Sequence, residues 1–367
     1  MAGRLVRVVD FEALQAAGIA DARERAGLIE YLDRLGFTPD DMVGAERRGR
    51  LFGLAGDVVG WSGPPVYSPR SAADALDVPV EDVERAWTML GLSVAGRDTP
   101  ALSRADVDAL ATWVAMRGQF GAPFDGFLRV LGAMMARLAE AESSMIRVSQ
   151  PNVWLGQTQD ELATARAWRA TTEFIPRIGA MIDAVHRHHL VSARTFLEGL
   201  EGGPSASGVC GVGFADLSGF TALTQILTPA ELSTMLTDFS GTVTDVVHAD
   251  RGRVVKLIGD AVMWVSSTAE LLAKAAVDLV DHPKARKAGV QVRAGLGYGA
   301  VLAINGDYFG NPVNLAARLV DAAKPGQILA AADVVDELSD WPASTQDPLT
   351  LKGFDAPVTA YDLRSGR

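Results

Sequence analysis

Phe214-Ala-Asp-Leu-Ser-Gly-Phe220 and Lys256-Leu-Ile-Gly-Asp260 each set one carboxylate between apolar residues, with a glycine close by. The first reads as a buried strand, Val209 to Ala215, running into a polar turn at Asp216. The second reads as a hairpin: the strand Arg253-Val-Val-Lys-Leu-Ile258, the turn Gly259-Asp260, then Ala261-Val-Met-Trp-Val265. Gly-Asp between two apolar runs is a hairpin signal. Two aspartates at strand ends could converge on a shared pair of divalent cations. Oxygen ligands of this kind suit Mg²⁺ or Mn²⁺, which complete their shells with water and substrate phosphate. Taken singly, each aspartate has a plainer reading as a turn residue bonded to its own backbone.

A third motif follows: Gly306-Asp-Tyr-Phe-Gly-Asn-Pro-Val-Asn-Leu-Ala-Ala-Arg318. Pro312 suits the first turn of a helix, and Val313, Leu315, Ala316, Ala317, Leu319 and Val320 continue it. Asn314 and Arg318 are four apart and share one helical face. An amide and a guanidinium just past a glycine-rich turn can hold a sugar and a phosphate, the planar guanidinium fork binding two oxygens at once.

The ordered set of three motifs resembles the class III nucleotidyl cyclase family over roughly Gly208 to Leu363, a little under half the chain. The resemblance implies that Asp216 and Asp260 bind two Mg²⁺ or Mn²⁺ per active site. It implies that Lys256 and Asp307 select the base, and that Asn314 and Arg318 act on the transition state. It also implies a homodimer, with each site between two catalytic domains. Asp216 and Asp260 would come from one chain, and Lys256, Asp307, Asn314 and Arg318 from the other. The base pair has its own chemical argument. A lysine can donate to adenine N1 and an aspartate can accept from the 6-amino group, whereas guanine reverses that pattern. ATP is therefore the expected substrate, closing to cyclic AMP with release of pyrophosphate. One departure concerns the last hairpin, where family members often carry a basic residue for the terminal phosphates. Here the stretch is Leu351-Lys-Gly-Phe-Asp-Ala-Pro-Val-Thr-Ala-Tyr361, and Phe354 and Asp355 stand where help is expected, with Lys352 nearby.

With 367 residues, two domains are expected. The glycine- and serine-rich stretch 198–208 reads as a linker between a helical regulatory domain, 1–197, and a catalytic domain, 209–367. Past the linker, strands and helices alternate as β-α-β-β-α-β. The expected fold class is α/β (α+β), a ferredoxin-like βαββαβ catalytic domain with helices on one face of its sheet, preceded by an all-α domain. Before the linker, apolar spacing predicts helices over 10–17, 21–35, 39–45, 70–76, 79–90, 103–118, 123–148, 158–171 and 174–197.

A net charge of −11 argues against generic nucleic-acid binding, which needs a basic face. The lone cysteine, Cys210, excludes an intramolecular disulfide and fits a reducing cytoplasm. No apolar run has membrane-spanning length.

The N-terminal half carries no catalytic constellation. Tyr67 to Leu92 has a helix-turn-helix texture, but Glu81, Asp82 and Glu84 on its second helix would repel phosphates. The arrangement of a helical domain before the cyclase-like half resembles the soluble mycobacterial-type adenylate cyclases, some of which respond to pH. His186, His188 and His189 cluster just before the linker and suit a proton switch; solvated histidines near a helix end are the plainer reading. Phe124, Phe127, Leu128, Met134, Met135 and Leu138 could line a lipid pocket or form ordinary core. Two further functions stay open: a catalytically silent nucleotide-sensing module and a DNA-binding regulator.

Overall fold

The computed structural model describes residues 9–57, 62–148, 160–198, 207–287 and 290–364, and the chain divides into two compact units, Met1–Arg187 and His188–Arg367. The stretch 199–206, most of the expected linker, lies outside the described residues. No helix among the described residues is long and apolar enough to cross a membrane.

The first unit is helical. Several of its helices start where short polar side chains can satisfy free backbone N–H groups. Thr38, Ser68 and Ser103 each form a reciprocal capping box with the residue three positions on, and Asp160 caps the helix Glu161–Thr172. Two apolar clusters result. One gathers Leu28, Ile29, Leu32, Met42, Leu51 and Ala165. Arg25 reinforces it by pairing at once with Glu46 and Glu161, both at 2.6 Å. The other gathers Ala72, Val83, Leu110, Trp113 and Leu128.

Two details depart from the helical spacing. The helix expected from residue 21 starts only at Ala26, because 21–25 form turns and Asp21 takes a positive φ. A short helical stretch, Leu51–Gly53 and then Leu54–Asp57, was not expected. The helix-turn-helix texture resolves into the helices Pro69–Leu76 and Val80–Met89. On the second of these, Glu81 and Glu84 are taken up by Arg97 and Asp82 by Arg117. On the helix Ala122–Val148, Leu128 is buried and Phe124 packs against the cluster, whereas Phe127, Met134 and Met135 are exposed.

The second unit is built on one sheet. Its strands are β1 (Ser207–Ser218), β2 (Arg253–Ile258), β3 (Ala261–Ser266), β4 (Gln291–Ile304), β5 (Asp307–Phe309), β6 (Ile328–Ala331), β7 (Ser344–Thr345) and β8 (Ala360–Asp362). Their order is β2-β3-β1-β4-β6-β8-β7, and β5 folds back on the end of β4. The first four strands and the two helices between them, Pro229–Ala249 and Ala269–Val280, form the expected ferredoxin-like βαββαβ core.

Alternation along β1 sorts the two faces. Ala215 and Leu217 face the cluster that holds Val243 and Leu272 from those two helices. Cys210, Val212 and Phe214 face the opposite way, into a cluster with Met263, Val301, Tyr308, Ala316 and Val320. The helix Asn311–Ala322 lies on this second face, so the sheet carries helices on both sides rather than on one. It can do so because β4 has glycine beneath it. A Cβ on Gly295 would stand 2.3 Å from the Ala316 carbonyl oxygen and the Val320 nitrogen, and one on Gly297 would stand 2.4 Å from the Pro312 carbonyl oxygen.

Gly295→Ala is therefore expected to destabilise the protein by about 1–3 kcal/mol, the usual cost of overpacking. Urea unfolding measures it; an unchanged midpoint would mean that the helix does not need this close seat.

Candidate active site

All three motifs deliver their side chains to the face that carries the Asn311–Ala322 helix. Asp216 was expected in a turn after the strand. It lies instead within β1, paired with Ala261 of β3 on one side and with Arg293 of β4 on the other. The strand runs on to Ser218 because it is central in the sheet and has ladder partners on both sides. Asp260 occupies the second position of the two-residue turn between β2 and β3. Gly259 precedes it with a φ of 64°, the positive value that the first turn position requires. Register thus places the two aspartates side by side. Burial, and then the neighbouring Asp216 carboxylate, push the Asp260 carboxyl up to about 6.

Lys256 reaches the same face only through a β-bulge. Val254 pairs with Trp264, but the next paired residue is Lys256, opposite Met263. Regular pairing would aim Lys256 with Val262 into the apolar core on the other face. The extra residue, Val255, re-aims it. There Lys256 forms an ion pair with Asp307, the first residue of β5. The other oxygen of Asp307 accepts a hydrogen bond from the Tyr308 N–H at 2.9 Å. The base-selecting pair suggested by the sequence is thus assembled within one chain.

Asn314 and Arg318 share a face of the Asn311–Ala322 helix; Asn314 is exposed, and Arg318 makes a 3.3 Å contact with Asp321 one turn on. Among the described residues, no hydrogen bond or ion pair joins Asn314 or Arg318 to the aspartate pair. Lys352 is exposed in the turn before the last strand.

Arg293 is a site residue that the motifs do not include. Its guanidinium grips one Asp216 oxygen from two nitrogens, at 2.6 and 3.2 Å, and donates to the carbonyls of Asp321 and Ala323 at the end of the Asn311–Ala322 helix. The available signal was a lone cation in an otherwise apolar and glycine-rich strand, Val292-Arg-Ala-Gly-Leu296.

Among the described residues, no group of three or more His, Cys, Asp or Glu side chains gathers as a metal cage. Two adjacent carboxylates with a guanidinium as counter-charge still fit hard divalent cations that take their remaining ligands from water and phosphate. His186, His188 and His189 are exposed on the helix Ile175–Glu198. Cys210 is buried in β1, where burial pushes its thiol up to about 12.

Residues 204–365 match the family described as the adenylate and guanylate cyclase catalytic domain. An uncharacterized protein of Mycobacterium tuberculosis is 69% identical over 97% of this chain and 94% of its own length. An adenylate cyclase of Streptomyces coelicolor is 31% identical over 76% of this chain and 74% of its own. A pH-sensitive adenylate cyclase of M. tuberculosis is 29% identical over 94% of this chain and 88% of its own. With the aspartate pair, the re-aimed lysine and the asparagine–arginine helix on one face of a ferredoxin-like sheet, the chain belongs to the class III adenylate and guanylate cyclase family.

Proposed function

We propose that the protein is an adenylate cyclase that converts ATP to 3′,5′-cyclic AMP and pyrophosphate, in a homodimer that binds two Mg²⁺ or Mn²⁺ per site. The observation that carries this reading is the Lys256–Asp307 pair, held by a bulge on one side and a backbone N–H on the other. Its donor and acceptor match N1 and the 6-amino group of adenine, and guanine would leave both unpaired.

The other residues take roles that their positions support. Asp216 and Asp260 hold the cations, which when bound make the ribose 3′-hydroxyl a better nucleophile and neutralise the triphosphate. Arg293, which bonds Asp216 at 2.6 Å, would offer a further donor to phosphate oxygens. Asn314 orients the ribose and Arg318 offsets charge on the α-phosphoryl oxygens. Leu257, Ile258, Leu302, Ile304 and Phe309 are exposed around Lys256 and Asp307. Such an apolar rim supports a second copy of the chain closing over the pair. The helical half acts as the regulatory domain, and a proton acting on His186, His188 and His189 is its proposed input. The similarity to a pH-sensitive relative supports that input. The lone buried Cys210 supports a cytoplasmic location.

Purified protein should form cyclic AMP from ATP. Asp216→Ala and Arg318→Ala should each be nearly inactive. Mixed and allowed to exchange, they should recover toward about a quarter of wild-type activity, because half the dimers would be mixed and each would hold one intact site. Mixtures that stay inactive although heterodimers form would exclude sites shared between chains.

A metal titration tests the aspartate pair. Mn²⁺ affinity, measured by calorimetry without nucleotide, should fall as pH drops through about 6, because a proton must then leave Asp260 before a cation can bind. The raised carboxyl also fixes the sign for the metal-free fold. Its contribution to stability is fully present below the unfolded-state value, and it is lost as pH rises through about 6. A pH-independent Mn²⁺ affinity would remove Asp260 from the ligand set.

For the proton input, the full-length triple variant His186→Asn, His188→Asn, His189→Asn should show a flatter activity profile than wild type between roughly pH 5 and 8. Superimposable profiles would dismiss these histidines as the switch.

A further inference from the structure

The helix Ile175–Glu198 runs unbroken through the division of the chain, and from His188 onward it belongs with the cyclase unit. Phe196, near its end, packs on the apolar cluster of the site face. That cluster holds Tyr308, and Val255 packs against it. These two are the chain neighbours of the base-selecting residues. Val255 is the extra residue of the bulge that aims Lys256, and Tyr308 supplies the N–H that fixes Asp307. The guanidinium of Arg253, the first residue of β2, stands 5.5 Å from the centre of the Phe196 ring, within reach of a cation–π contact. Arg253 also lies near Tyr308, whose hydroxyl burial pushes up and Arg253 pulls back.

The need for such support follows from the sheet. β2 is an edge strand, laddered on one side only, to β3. A bulge further weakens that ladder beside Lys256. Hydrogen-bond selection between two bases tolerates displacement of only about 0.5 Å in the selecting groups. The helix Pro229–Ala249 supports β2 from the other face, and on the site face the connecting helix adds the Phe196 ring against Arg253.

We propose that Phe196 and Arg253 are positioning residues for base recognition, so that the end of the connecting helix sets Lys256 and Asp307 and with them the preference for adenine over guanine. The proposal rests on the adenylate cyclase reading. It adds that the segment leading out of the regulatory half governs which nucleotide is accepted, and does more than govern how fast the reaction runs.

The test uses the full-length protein with Phe196→Ala, Phe196→Leu and Arg253→Gln. KM and kcat are measured with ATP and GTP. Dissociation constants are measured for 3′-deoxy-ATP and 3′-deoxy-GTP, which cannot cyclise, and thermal unfolding reports folding. Phe196→Ala should raise KM for ATP about fivefold and narrow the ATP-to-GTP ratio by about tenfold, while kcat for ATP stays within about twofold. Phe196→Leu, which keeps the apolar contact, should fall between this variant and wild type. Arg253→Gln should narrow the same ratio and carries the test if Phe196→Ala does not fold. An unchanged ratio in folded variants, or an equal loss with both nucleotides, would overturn the proposal. A wild type that binds 3′-deoxy-ATP selectively yet forms no cyclic AMP would instead defeat the cyclase reading. The positioning claim would then be decided by the ratio of dissociation constants alone.

Discussion

The close seat of one helix on two glycines governs the cyclase unit. Van der Waals packing normally keeps a helix and a sheet apart by the thickness of their side chains. At Gly295 and Gly297 that thickness is gone, and the backbone of the Asn311–Ala322 helix rests on β4. Its position is then fixed by main-chain contact, which no side-chain rotamer change can relax. Asn314 and Arg318 inherit that fixity. The same seat brings the carbonyls of Asp321 and Ala323 within reach of Arg293, so the helix end and the aspartate pair share one guanidinium.

Charge on this face is arranged in closed pairs. Arg293 answers Asp216, Lys256 answers Asp307, and Arg318 leans on Asp321. Among the described residues Asp260 makes no ion pair, and burial, then the Asp216 carboxylate, raise its carboxyl to about 6. A partly buried carboxylate beside another is unfavourable until a counter-charge arrives. On the proposed reading, such a site would favour a cation and a polyphosphate binding together, in a chain whose net charge is −11.

Much of this was legible in the sequence. The hairpin at Gly259-Asp260 declares itself because only a few residue pairs make a two-residue turn. The N-terminal helices follow the apolar period, and several begin at capping residues that the sequence displays openly, such as Thr38, Ser68 and Ser103. What escaped depends on pairing between distant segments. The bulge at Val255 is invisible because Arg253 to Ile258 reads as an unbroken strand; only the register with β3 reveals it. Asp216 looks like a turn residue until its partners on both sides are known. Arg293 is a single cation whose meaning lies in the strand beside it. The second helical face of the sheet was hidden in glycines that, read alone, suggest only loops or bends.

The continuity of the helix Ile175–Glu198 across the boundary between the units has a consequence of its own. An α-helix advances about 100° per residue, from its 3.6-residue turn. Phe196 therefore meets Arg253 and the Tyr308 cluster only at one phase of the helix. Adding or removing one residue between Arg187 and Phe196 would turn the helix ahead of the change by about 100° relative to the ring, although composition and helicity stayed almost unchanged. This stretch should accept substitutions far more readily than changes of length.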